Sequence, residues 1–384
     1  MFRFHRRTIL SVRLLPFLAA TLAGLLLWGS LGPPALTAST RVALLLPDLL
    51  LFQPLRPSLL VTFPPSTRPL RWTAVTGTEH GVLYRPAIRR PAPGVVVSLG
   101  VYPAALESPE VQRLGDALAR SGLVALFPAS PRLQAGQVLP EEVSVLRAAV
   151  EALRQQPEVD PQRVGLLGFS IGGGLVLLAA ADEQSAGKVT VVASVGGYAD
   201  AVDLLRQVGS RTRLAPGRPP WQPAELAVLA YRRQLIDTLL LASDRDLLEA
   251  TFFAPDPPPL DPLRLSLEGQ QVYTLLTTTD PATVDALLSA LPPAAQTRLH
   301  ALSPLRHLTA LRAPAFLLHD QADPFIPVEE SRRLAAALGP QAWYEEYRLF
   351  DHVIPTGNPS PVQLGRELAR LAVQLHGWYR QLSQ

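Results

Sequence analysis

The 384-residue chain is 48% hydrophobic and 17% charged, which is too apolar for a solvated disordered chain and enough to bury a large core. Its formal charge of +3 rests on Arg3, Arg6, Arg7 and Arg13; without these four of the 35 basic residues, 31 remain against 32 acidic ones. A near-neutral body lacks the clustered basic face that phosphate-backbone binding requires, so no nucleic-acid partner is expected. Cysteine is absent, which excludes disulfides, thiolate metal sites, a cysteine nucleophile and a lipidated cysteine anchor.

Four arginines precede a run that is apolar from residue 14 to 29, LLPFLAATLAGLLLWG. Charge followed by hydrophobe is the order of an export signal. Residues 1–31 are therefore expected to be a signal peptide or an uncleaved anchor that contacts the membrane. The remainder would lie on the outer face of the cytoplasmic membrane, or in the periplasm or outside the cell. Arg6 and Arg7 also fit a twin-arginine signal, although paired arginines occur in any basic leader. Residues 32–70 are rich in proline and read as an apolar linker. Within them VALLLPDLLLF, at 42–52, carries Pro47 and Asp48; this argues against a membrane span and for packing on the domain or the membrane surface.

From residue 71 the pattern becomes an alternation. RWTAVTG and HGVLYRPA predict two short strands about a turn. The spacing then predicts a strand at 94–100, a helix at 107–122, a strand at 123–128 and a helix at 140–156. A strand at 164–169, a helix at 170–182 and a strand at 188–197 follow. After a long interval come strands at 313–320 and 343–350 with a helix between them, and a final helix at about 361–381. Continuous apolar strands between helices imply a mostly parallel, doubly wound α/β sheet covered on both faces. Residues 71–384 are thus expected to form one domain. The leucine-rich helical pieces between prolines at about 199–312 break the rhythm and read as an inserted, mainly helical cap.

Gly168, Phe169, Ser170, Ile171 and Gly172 match the GxSxG nucleophile elbow, and they sit where such a turn must sit, between a strand and a helix. A serine hydroxyl needs a general base in reach and a third group to orient that base. His352, in FDHVIP, follows the last predicted core strand; His5 lies in the leader, His80 in a hairpin, His300 and His307 in the cap, and His376 on the last helix. His319 reads as a packed strand-end residue. After the strand APAFLLH, both Asp320 and Asp323 obey the order serine, acid, histidine. Spacing favours Asp323, with Asp320 as a turn or capping residue and Asp351 as a surface carboxylate.

These three ordered motifs resemble the α/β-hydrolase superfamily, especially dienelactone hydrolase-like and prolyl oligopeptidase-like serine esterases, whose acid loop reads approximately HGxxDxxVP. The resemblance covers about residues 71–384. It implies an α/β-hydrolase fold with Asp323 as the family acid and a Ser170, His352, Asp323 triad. The oxyanion would be held by the Ile171 N–H and a second backbone N–H from the loop LGVYP, either Val101 or Tyr102, where Leu99 stands in place of the usual histidine. The expected reaction is cleavage of a small-molecule carboxylic ester or related acyl bond through an acyl-enzyme, with no cofactor and no metal. A peptidase or acyltransferase on the same fold, and a non-catalytic membrane-tethered binding module, are the alternatives.

Overall fold

The structure is a computed structural model that describes residues 33–50, 56–88, 90–101, 105–257, 259–350, 352–353 and 360–383. Residues 1–31, on which the leader was expected, lie outside the described residues, as do Tyr102 and Asp351.

Eight strands form one sheet: β1 (Ser66–Ala74), β2 (Gly77–Arg85), β3 (Ala92–Ser98), β4 (Val124–Pro128), β5 (Val159–Phe169), β6 (Val191–Val195), β7 (Ala315–Asp320) and β8 (Ala342–Tyr347). Their order is β1-β2-β4-β3-β5-β6-β7-β8. The β1–β2 and β2–β4 pairs are antiparallel; every other pair is parallel. The fold is therefore α/β with a mainly parallel sheet, as the alternation predicts. All seven residues of β3 are buried. Its side chains alternate, Val95 and Val97 joining one core and Val96 the other.

One face is covered by α1 (Pro33–Leu50), α2 (Pro109–Arg120) and α12 (Pro361–Gln381). The other face meets α3 (Glu141–Arg154), α4 (Ile171–Ala181) and α11 (Glu329–Leu338). Between β6 and β7 the chain forms α5 (Ala201–Ser210), α6 (Glu225–Ile236), α7 (Ala242–Phe253), α8 (Leu267–Thr277), α9 (Pro281–Ser289) and α10 (Pro293–Ala301). Tyr231, Leu235, Leu248, Val272, Val284 and Leu299 from these helices share one core with α4 and the sheet.

The segment 32–70 differs from the expected linker. Ala38, Val42, Leu45 and Leu46 recur at helical spacing and are buried against α2 and α12, so α1 belongs to the packing of the sheet domain. Its proline content obscured that stripe, since Pro47 lies inside the helix. Strand β1 likewise begins at Ser66, ahead of the expected start at 71. Among the described residues no helix is long and apolar enough to cross a membrane.

Candidate active site

Strand β5 runs straight into α4, and Ser170 occupies the joint with φ 56° and ψ −132°. Such backbone is costly for any residue with a side chain, and it lifts the side chain out of the run of the chain. The turn is pinned: the Ser170 N–H donates to the Val195 carbonyl at 2.8 Å, and the Gly173 N–H donates to the Ser170 carbonyl at 2.8 Å. A Cβ on Gly172 would stand 2.5 Å from the Ser98 carbonyl oxygen and 2.8 Å from the Gly100 nitrogen. A side chain there would separate α4 from β3, so the second glycine of the motif is required by packing.

Ile171 opens α4, where the first-turn N–H groups have no partner inside the helix. Val101, half-buried, directly follows Gly100, whose Cα faces the elbow: a Cβ there would meet the Phe169 carbonyl at 2.7 Å and the Ser170 Cβ at 3.1 Å. The structure thus brings Ile171 and Val101 to the same edge of the sheet as Ser170. A small cavity of about 30 Å³ borders this edge, lined by Gly100, Leu99, Leu106, Leu133, Val145 and Leu146 among others.

Asp323 and His352 come together from the loops after β7 and β8. His352 Nδ1 lies 2.6 Å from Asp323 Oδ2, and the two residues are 7% and 1% exposed. Since the carboxylate can only accept, Nδ1 carries the proton and Nε2 is the basic nitrogen. That Nε2 is buried and has no hydrogen-bond partner among the described residues. Asp323 Oδ1 accepts from the Phe325 and Ile326 N–H groups at 2.7 and 3.0 Å. Burial alone would raise the acid's pKa. The His352 charge and the hydrogen bonds from His319 and His352 outweigh it and hold Asp323 well below the usual carboxylate range.

Ser170 and His352 both border the carboxyl end of β6. Gly196, with φ 62°, follows the Val195 that receives the Ser170 N–H. A Cβ on Gly196 would stand 3.1 Å from both Cε1 and Nδ1 of His352 and 3.4 Å from Asp323 Oδ2. His352 itself has φ 63°, so the serine and the base are two of the four non-glycine residues with positive φ among the described residues. Strained backbone concentrates where geometry is dictated by chemistry.

Several supporting residues were not visible in the sequence as such. Phe325 stacks on the His352 ring, with centroids 4.7 Å apart. Asp320 Oδ1 accepts from the Ala322 N–H at 2.9 Å, the expected turn. Its Oδ2 accepts from the Phe350 N–H at 3.0 Å, which ties the acid loop to the segment bearing the base. Trp221 Nε1 donates to the Asp323 carbonyl at 3.2 Å, and the Ala224 N–H donates to the Pro324 carbonyl at 2.7 Å. The 199–312 insertion is therefore seated on the acid loop. No group of three or more histidines and carboxylates that could hold a metal ion occurs among the described residues.

The dienelactone hydrolase family profile matches residues 80–198. No curated protein matches the chain in sequence. Among solved structures, an acylaminoacyl peptidase in complex with Z-Gly-Gly-Phe-chloromethyl ketone is similar at 14% identity and TM-score 0.47, over 80% of this chain and 40% of that one. A Mycobacterium tuberculosis puromycin-hydrolyzing peptidase is similar at 17% identity and TM-score 0.47, over 79% of this chain and 38% of that one. A 2,6-dihydroxy-pseudo-oxynicotine hydrolase is similar at 14% identity and TM-score 0.46, over 97% of this chain and 87% of that one. The chain thus spans about two fifths of the length of the two peptidases. Residues 80–198, which match the dienelactone hydrolase family model, carry the elbow and lie within a mostly parallel α/β sheet.

Proposed function

We propose that the chain is a serine hydrolase that cleaves a carboxylic ester or related acyl bond. The observation that carries this reading is the buried His352–Asp323 pair at 2.6 Å, with an unpartnered Nε2, at the sheet edge where the strained Ser170 turn projects. Ser170 Oγ attacks the acyl carbon while His352 Nε2 takes its proton; Asp323 keeps the ring oriented and offsets the imidazolium charge. The N–H of Ile171, with that of Val101 or Tyr102, stabilises the oxyanion. Collapse of the tetrahedral species breaks the bond to the leaving group, which receives the proton from Nε2. Water, deprotonated by the same nitrogen, then attacks the acyl-enzyme and releases the acid, returning Ser170 to its hydroxyl form.

A fluorophosphonate probe tests the reading. It is expected to label the wild-type chain and not Ser170→Ala, and His352→Ala is expected to lower ester hydrolysis by about three to four orders of magnitude. Equal labelling of the serine variant sinks the assignment. A panel of esters, peptides and alcohol acceptors separates esterase from peptidase and acyltransferase.

The same reading includes export. The four arginines and the apolar run 14–29 support a membrane-proximal enzyme facing outward. In spheroplasts, which lack an outer barrier, added protease is expected to digest the domain unless it has been released with the soluble exported fraction; a domain retained and protected until the cytoplasmic membrane is lysed overturns this part.

A further inference from the structure

We propose that His319 is a positioning residue for the acid: an imidazole held as the Nε2–H tautomer, whose proton is shared with Asp323 and sets how strongly that carboxylate grips His352. The inference rests on the triad reading above.

The tautomer follows from the contacts. His319 is 1% exposed. Its Nε2 lies 2.8 Å from the Ile326 carbonyl and 3.3 Å from Asp323 Oδ2, both of which only accept. Nε2 must therefore carry the proton. Its Nδ1 lies 2.7 Å from Ser331 Oγ, a hydroxyl on α11 that can donate to it. The neutral Nε2–H ring satisfies every one of these contacts. A merely packed histidine would need only the Ile326 and Ser331 bonds; the third contact, at 3.3 Å, brings the same N–H close to the oxygen that also accepts from His352 at 2.6 Å.

Two imidazoles on one carboxylate oxygen compete. A donor from His319 disperses the negative charge of Asp323, so the carboxylate stabilises the His352 imidazolium less than it would alone. Removal of that donor is expected to raise the pH at which His352 is half protonated, leaving less free base at neutral pH. The other ionisable groups on these elements, among the described residues, include Asp320 at the end of β7, Glu346 on β8 bonded to Arg332, Glu329 on α11 paired with Arg332, and Glu330 on α11 paired with Arg333. None is altered by substitution of His319.

Three variants of the full chain separate positioning from packing. His319→Gln places an amide donor near the Nε2 position; His319→Asn reaches only the Nδ1 position; His319→Phe fills the volume with no donor. The readouts are the ¹⁵N NMR titration of the His352 ring, which needs no turnover, and kcat/KM against pH. In the Asn and Phe variants the His352 midpoint and the acidic limb are expected to rise by about one pH unit, with kcat/KM at neutral pH about tenfold lower. His319→Gln is expected to stay near the wild type on both. Where the Phe variant does not fold, the Gln and Asn pair carries the comparison. An unchanged His352 midpoint in Asn, or equal defects in Gln and Asn, overturns the proposal. If the wild type is inert towards esters and the probe yet the midpoint moves, the hydrolase reading fails and the positioning stands.

Discussion

Gly196 leaves room for the His352 ring and for nothing more: any Cβ at 196 would press on Nδ1 and Cε1 from 3.1 Å. With φ at 62°, that position also strains any side chain through the backbone alone. Gly196→Ala is expected to tilt the imidazole, loosen the 2.6 Å bond to Asp323 and lower kcat/KM by about 100-fold. The expected stability loss is about 1–3 kcal/mol. Ester kinetics and thermal unfolding of the same sample check both, and wild-type kcat/KM in the alanine variant refutes the relationship.

The elbow stores strain that catalysis requires and folding does not. Ser170 keeps φ 56° and ψ −132° because Val195 and Gly173 fasten its N–H and carbonyl. Ser170→Ala keeps the strain and loses the hydroxyl, whereas Ser170→Gly loses both. The glycine variant gains freedom in the unfolded chain, which offsets part of the relief. Ser170→Gly is still expected to be about 1 kcal/mol more stable than Ser170→Ala in equilibrium denaturation. A glycine variant less stable than the alanine one shows that the turn is relaxed.

Signals local along the chain were legible in the sequence, and contacts between distant segments were not. Apolar strands such as GVVVSLG, and glycines on either side of Ser170, announce themselves within a few residues because burial and backbone sterics act at that range. The α/β class followed from that alternation. The helix α1 was hidden by its prolines and by Asp48, whose charge is matched by Arg56, eight residues away. Phe325 against His352 and Trp221 against the Asp323 carbonyl join segments that share no periodicity, so no pattern could reveal them. His319 was visible as a buried strand end; its second role needs the three-dimensional position of Asp323 Oδ2.

Acid weakens one clasp between β8 and α11. Glu346 accepts from Arg332 Nε and Nη2, both at 2.8 Å, and from the Tyr344 hydroxyl at 2.8 Å. The Arg332 bonds, opposed by partial burial, lower its pKa to about 2. A carboxylate depressed in the folded state contributes stability above its unfolded pKa of about 4.3, and that contribution is lost as pH falls through the folded value. The group is half-buried and screened, so its contribution is expected to be below about 1 kcal/mol. The stability difference between wild type and Glu346→Gln should be flat from pH 8 to about 5 and shrink between about 4 and 2. A difference that grows on acidification contradicts the assignment.

The strongest stability test concerns α1. Asp48 is 0% exposed and Arg56 6%; Arg56 Nη2 lies 2.7 Å from Asp48 Oδ2 and 2.5 Å from Asp116 Oδ2 on α2. Ser58 Oγ adds a bond to Asp48 Oδ2 at 2.5 Å, and Arg113 Nε donates to the Asp48 carbonyl at 3.0 Å. Burial works against the Arg56 charge, yet its two carboxylate partners raise its pKa above the ordinary value. Arg56→Ala would leave Asp48 charged, buried and unpaired, at an expected cost of about 3–5 kcal/mol. Arg56→Met with Asp48→Leu removes both charges and is expected to recover most of that loss, because a hydrophobic pair needs no compensation. Denaturation midpoints of the wild type and of these two variants check the recovery. Limited proteolysis should cut Arg56→Ala first around α1, since that helix is held to α2 by this cluster as well as by Val42, Leu45 and Leu46. A loss below about 1 kcal/mol in Arg56→Ala means water reaches Asp48 once the guanidinium is gone, and the clasp is then dispensable to the fold.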